Sequence, residues 1–112
     1  MTALQVTTSD RADSVHVELS GELDLASAPK LEDELKHVED GGPSVIVLDL
    51  RALSFMDSSG LRALLAADAR AKEAGRRLVL VRGDERVQRV LRITRLDERL
   101  EIVDDIDAVA GA

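Results

Sequence analysis

At 112 residues the chain suits a single domain, residues 1–112, able to remove roughly two-thirds of its unfolded surface from water without disulfide or metal staples. Fifteen basic residues against twenty-two acidic ones give a formal charge of −7, which opposes the counterion release behind nucleic-acid affinity, and the only aromatic, Phe55, leaves nothing to stack on bases or sugars. With no cysteine, no apolar run near the ~20 residues of a membrane helix and neither a basic nor an apolar opening in MTALQVTTSD, thiolate chemistry, a membrane and export drop out, and the chain reads as cytoplasmic.

Leu4 to Thr8 and Ser14 to Ser20 alternate in strand fashion around the polar turn Asp10 to Asp13, which predicts an antiparallel hairpin with Val15, Val17 and Leu19 facing the core. From Ser27 to Val38 the apolar positions Leu31, Leu35 and Val38 share one helical face, with Ser27 as N-cap, Pro29 in the first turn and Gly41-Gly42-Pro43 as the stop. Val45 to Leu50 is a nearly continuous branched run, the mark of a central strand covered on both faces.

A helix from Ser58 to about Ala74 turns Leu61, Leu64, Leu65 and several alanines inward and ends at Gly75; a second buried strand, Leu78 to Val81, follows. Strand, helix and strand with short connections imply a parallel crossover. Val87, Val90, Leu91 and Thr94 define another helical face, Leu100 to Val103 a short strand, and Asp104 or Asp105 a cap for a short final helix. The sum is an α/β domain: a mixed, mostly parallel sheet with an N-terminal antiparallel hairpin, flanked by about four helices.

The chemistry concentrates where the central strand meets the next helix. In Asp57-Ser58-Ser59-Gly60 the aspartate accepts hydrogen bonds from the first free amides of the helix and the glycine keeps the first turn slim. Ser and Asp are standard capping residues. Ser58 nevertheless follows a buried strand with no spare loop, which holds its hydroxyl at a rigid, accessible edge. Asp24, in Gly21-Glu22-Leu23-Asp24, comes to the same rim if the two strands are neighbours. A carboxylate there is able to bond the serine, to orient it for a kinase, or to share a metal held by a partner; as a bare loop residue it is simply solvated.

Other reactions lack their parts. A serine hydrolase needs a base, yet His16 and His37 sit in the hairpin and near a helix end, where both read as surface residues, and no G-x-S-x-G elbow exists. No metal-ligand spacing and no phosphate-cradling glycine loop occur, so no metal or cofactor is expected and any phosphate reaching Ser58 comes from another enzyme. Arg82, Arg86, Arg89, Arg92 and Arg95 recur at near-helical spacing, but the interleaved Asp84, Glu85, Asp97 and Glu98 make this a salt-bridged, solvated face.

GELDLASAPKLEDEL, then VIVLDLRALSFMDSSGLRALL, then RVLRITRLDERLEIVDD together resemble the STAS domain, specifically the stand-alone bacterial anti-sigma factor antagonists, across almost the whole chain. The resemblance implies a regulatory binding protein and not an enzyme. Ser58 would be phosphorylated by an anti-sigma factor that is itself a serine kinase of the histidine-kinase-like ATPase fold, and a metal-dependent serine phosphatase would reverse it. The unmodified form would bind the anti-sigma factor and free the sigma factor. Asp24 and Asp57 match acidic positions flanking the acceptor, and Ser59 and Gly60 complete its loop, so Asp24, Asp57, Ser58, Ser59 and Gly60 form the expected partner-binding and kinase-recognition set. Arg95, where many relatives have glycine, and a short tail after Asp105 depart from the pattern. The competing role on the same fold is a non-phosphorylated adaptor in a lipid-transport ABC complex or a stress-signalling assembly.

Overall fold

The computed structural model describes residues 3–109. Its elements are β1 (Gln5–Arg11), β2 (Ser14–Leu23), α1 (Ala28–Asp40), β3 (Val45–Met56), α2 (Ser58–Ala74), β4 (Arg77–Val81), α3 (Glu85–Ile93) and β5 (Glu101–Val103), with single 3₁₀ turns at Leu96–Glu98 and Ile106–Ala108. The five strands pair in sequence order, β1 antiparallel to β2 and every later pair parallel. Each parallel step needs a crossover, which α1, α2 and α3 supply. The expectation of about four helices becomes three α-helices: Asp105 does cap the last segment, accepting from the Asp107 amide at 2.9 Å, but only one 3₁₀ turn follows.

All three helices cover one face of the sheet. Leu31 and Leu35 from α1, Leu64 and Ala67 from α2, and Val87 and Leu91 from α3 share one buried cluster with Val17, Leu19, Ile46, Leu48 and Leu80. Val90 packs at its margin, whereas Thr94 is the exposed C-cap of α3. On the opposite face Val47, Val79 and Val81 are covered by Val109, with Ile106 at their edge. The run Val45 to Leu50 is thus apolar on both sides because both sides are covered.

β3 continues six residues past that run, to Met56. Its last pair with β4 is Asp49↔Val81, so from Leu50 onward it has β2 on one side only, and Arg51 and Ala52 are exposed. Register shifts between Glu18 and Ser20 and between Gly21 and Glu22 re-aim this stretch, which returns Leu53 and Met56 to the core.

His16, expected at the surface, is 5% exposed. It alternates with Val15 and Val17 on β2 and so lies on the less covered face, opposite the helices. Neither ring nitrogen has a hydrogen-bond partner. Burial and the Arg11 guanidinium push its pKa down, against Asp49, which raises it. Asp49 shares that face; burial raises its pKa, but hydrogen bonds from the Arg51 guanidinium (2.7 Å to Oδ2) and amide (3.0 Å to Oδ1) outweigh it and hold the carboxyl below its ordinary range. His37 is exposed as expected. The arginine stripe is ion-paired only in part: Arg86 with Asp84 and Arg92 with Glu85, as read, and Arg82 with Asp104 instead of an interleaved carboxylate, while among the described residues Arg89, Arg95, Asp97 and Glu98 form no salt bridge.

Candidate functional site

The parallel ladder of β2 and β3 ends at Leu23↔Met56, and the Asp57 amide donates to the Leu23 carbonyl at 3.2 Å. Asp24 and Asp57 therefore leave the sheet side by side, at the C-terminal rim of two neighbouring strands. This is the juxtaposition expected if those strands pair.

Asp57 is in extended conformation (φ −107°, ψ −170°) and its Oδ1 accepts from the amides of Ser59 at 2.9 Å and Gly60 at 3.2 Å. An N-cap of this kind satisfies two amides that helix geometry leaves without partners. Ser58 is the first helical residue and is exposed. Among the described residues its hydroxyl has no hydrogen-bond partner, although the peptide units before and after it are held. Ser59 is half-buried, and its Oγ accepts a long 3.4 Å bond from the Arg62 guanidinium one turn on.

Gly60 is buried. A Cβ there would stand 2.8 Å from both Leu23 Cγ and Met56 Cγ, inside van der Waals contact with the last core residues of β2 and β3. The glycine lets the first turn of α2 sit directly on the strand ends, and this sets the height at which Ser58 emerges. Gly60 thus positions the site from within the packing.

The other side of the rim is organised by Ser27, which sequence reasoning assigned to the wrong task. It stands at the N-cap position of α1 without a side-chain cap bond. Its Oγ accepts from the Asp24 amide at 2.9 Å and lies 3.0 Å from both the Glu22 carbonyl and Asp24 Oδ1, either of which accepts its single proton. Its amide donates to Asp24 Oδ1 at 3.0 Å. The Asp24 carboxylate is thereby turned into its own loop, and among the described residues it makes no bond to Ser58. The Asp-x-x-Ser spacing of Asp24 and Ser27 was the available signal, since short polar side chains three positions apart close local turns. Ser54 was also passed over; its hydroxyl donates to the Gly21 carbonyl at 3.0 Å, beside a glycine at φ +91°, and ties the irregular ends of the two strands together.

Two surface cavities lie elsewhere. An open groove of about 820 Å³ is lined by Asp10, Asp13, His37 and Asp40 at the opposite end of the strands, and one of about 120 Å³ lies beside His16 and Asp49. Neither includes Asp24, Asp57 or Ser58. Among the described residues no group of three or more His, Asp or Glu is arranged to hold a metal ion, and no helix is long and apolar enough to cross a membrane.

A family model described as the STAS domain matches residues 3–109. An anti-sigma-F factor antagonist of Mycobacterium tuberculosis, RsfB, is 28% identical over 110 residues, covering 97% of this chain and 89% of the relative. The anti-sigma-B factor antagonist of Listeria monocytogenes is 31% identical over 90 residues, covering 80% and 79%. Among solved structures, an anti-sigma factor antagonist from Mycobacterium paratuberculosis superposes with a TM-score of 0.82 at 29% identity, covering 94% of this chain and 89% of that one.

Proposed function

This chain belongs to the STAS domain family, and on that premise we propose that it is a cytoplasmic anti-sigma factor antagonist whose binding is switched by phosphorylation of Ser58. The unmodified protein binds a kinase-type anti-sigma factor and releases the sigma factor; the kinase adds a phosphoryl group to Ser58, and a metal-dependent serine phosphatase removes it. The protein contributes no catalytic group of its own. Asp24, Asp57, Ser58 and Ser59 present the recognised surface, and Gly60 sets its position.

The observation that carries this reading is the state of Ser58: exposed, free of hydrogen bonds among the described residues, and fixed at the first residue of a helix whose cap is already complete. A kinase needs an accessible hydroxyl at a defined place, and the phosphoryl transfer itself is mostly positioning. The Asp57 carboxylate already occupies the Ser59 and Gly60 amides, so an incoming phosphate does not gain those two donors. It meets carboxylates instead.

A phosphoryl group adds about −1.5 to −2 charges. At an effective dielectric of about 20, a like charge roughly 5 Å away costs on the order of 3 kcal/mol per unit pair, and solvent screening cuts that several-fold. The helix N-terminus returns about 0.3–2 kcal/mol. A residual near 1.4 kcal/mol already weakens an interface about tenfold. Phosphorylation thus acts at the contact surface and leaves the fold in place.

Incubation with each kinase-type anti-sigma factor of the same genome and Mg·ATP, followed by intact mass, tests the reading. One added phosphate that disappears in Ser58→Ala is the expected result. No modification by any active kinase would favour the non-phosphorylated adaptor role instead.

A further inference from the structure

Among the described residues the large apolar side chains left exposed are Leu25 at 74%, Phe55 at 45% and Ile93 at 70%. Phe55 is the only aromatic residue in the chain, and a Leu- and Val-built core would be the ordinary home for it. Instead it stands two residues before Asp57, opposite Glu22 in the β2–β3 ladder. Leu25 directly follows Asp24 in the loop held by Ser27. Both therefore flank the two rim carboxylates, one from each strand end. Ile93 is different: β4 and β5 are parallel, so α3 carries the chain back from the rim, and its last residue lies toward the other end of the molecule.

Apolar side chains bordered by polar ones are the usual make-up of a binding surface, where a few aromatic or large aliphatic anchors carry most of the affinity. We propose that Phe55 and Leu25 are the apolar anchors with which this protein grips its anti-sigma factor, the partner offering an apolar cleft edged by cationic side chains. The proposal rests on the antagonist reading above and extends it from the phosphoacceptor to the contacts that supply affinity. The cationic edge follows from the carboxylates of Asp24 and Asp57 beside the anchors and from the chain's net charge of −7. The same charges disfavour a second copy of this chain as the occupant, since symmetric pairing through the rim would bring four carboxylates together.

On this view the rim divides the work. Phe55 and Leu25 hold the partner by burying apolar surface, and Ser58 at the same rim reports phosphorylation state. A phosphate need not displace either anchor to break the complex; it puts a hydrated charge inside the ring of contacts that exclude water.

Isothermal titration with the anti-sigma factor that phosphorylates Ser58 tests this on the full chain. Leu25→Ser and Phe55→Ala are each expected to weaken binding about tenfold or more, and Ile93→Ala, equally exposed but away from the rim, to stay within about twofold. Circular dichroism and urea unfolding accompany each variant. Phe55→Leu, which keeps the half-buried aliphatic bulk and removes the ring, is expected to weaken binding at least about threefold even if Phe55→Ala is unstable. Unchanged affinity in both Leu25→Ser and Phe55→Leu would overturn the proposal, as would an equal loss in Ile93→Ala. Failure of the unsubstituted protein to bind any candidate would instead overturn the antagonist reading, and would be seen before any variant is made.

Discussion

Gly60 earns its place by what it lacks. The 2.8 Å approach of a Cβ to Leu23 and Met56 means that Gly60→Ala must push α2 away from the strand ends, and overpacking of this kind costs about 1–3 kcal/mol. Alanine's better helix propensity returns about 1 kcal/mol, so the net loss is about 0–2 kcal/mol, read as a lower urea midpoint; a raised midpoint would mean that the helix is not seated as described. The need for a slim first turn was legible in the sequence, because the glycine follows the capping aspartate at a helix start. The state of His16 was not legible, since alternation along β2 assigns a face but not whether that face is covered. Buried without hydrogen bonds, and with its pKa lowered by burial and by Arg11, His16 takes up a proton less readily in the fold than in the unfolded chain, where the ordinary value is 6.5. Above that value it contributes no pH dependence; below it the unfolded state binds more protons and stability falls. The urea midpoint is therefore expected to drop as the pH is lowered through 6.5, and His16→Leu to flatten that stretch of the profile. A flat profile in the unsubstituted protein would contradict the burial.

Between elements, the connection from α3 to β5 turns on a single residue. Arg95 has φ +61° and ψ 20°, the left-handed region that costs a residue with a Cβ roughly 1–2 kcal/mol. A turn of this hand is one that glycine adopts without that cost. Among the described residues the Arg95 guanidinium makes no hydrogen bond or ion pair, so little is lost with it. Arg95→Gly is expected to gain about 0.5–1 kcal/mol after the added freedom of the unfolded chain is subtracted, a rise of a few degrees in melting temperature, whereas Arg95→Ala should not; equal behaviour of the two variants would count against the strain. At this scale the sequence was readable wherever burial wrote the pattern: α2 runs from Ser58 to Ala74 as its spacing required, and β4 and α3 follow their apolar positions. It was less readable where backbone pairing alone makes the element. β1 extends to Arg11 with almost every residue exposed, held by its ladder to β2, and the end of β3 is disguised by bulges and by the loss of β4 as a neighbour. Ser27 looked like a cap because hydroxyls before a proline-containing first turn usually are; here Asp24 competes for it, its amide donating to Ser27 Oγ and its carboxylate accepting from the Ser27 amide.

For the molecule as a whole, unidirectional order in the sheet gathers the ends of β2 and β3 at one rim and stacks all three helices on one face. That order brings two acidic loops separated by 33 positions, Asp24 and Asp57, into adjacency, and it was foreseeable only on the condition that the strands pair. The sequence could point to the serine because a capped helix start after a buried strand is a local signal. The turn of the Asp24 carboxylate into its own loop was written in the Asp-x-x-Ser spacing of Asp24 and Ser27 but masked there by the N-cap position that Ser27 also holds. The resulting account is of a rigid scaffold that presents one free hydroxyl among carboxylates, with charge at Ser58 governing contact and no large conformational step. It is tested most directly by measuring the affinity of the cognate anti-sigma factor for two preparations, the unmodified chain and the chain carrying phosphoserine at position 58, at two salt concentrations. The account predicts that the phosphate weakens binding about tenfold or more, while amide spectra of the free protein change only around the rim; equal affinity of the two forms, or spectral change throughout the sheet, would contradict it.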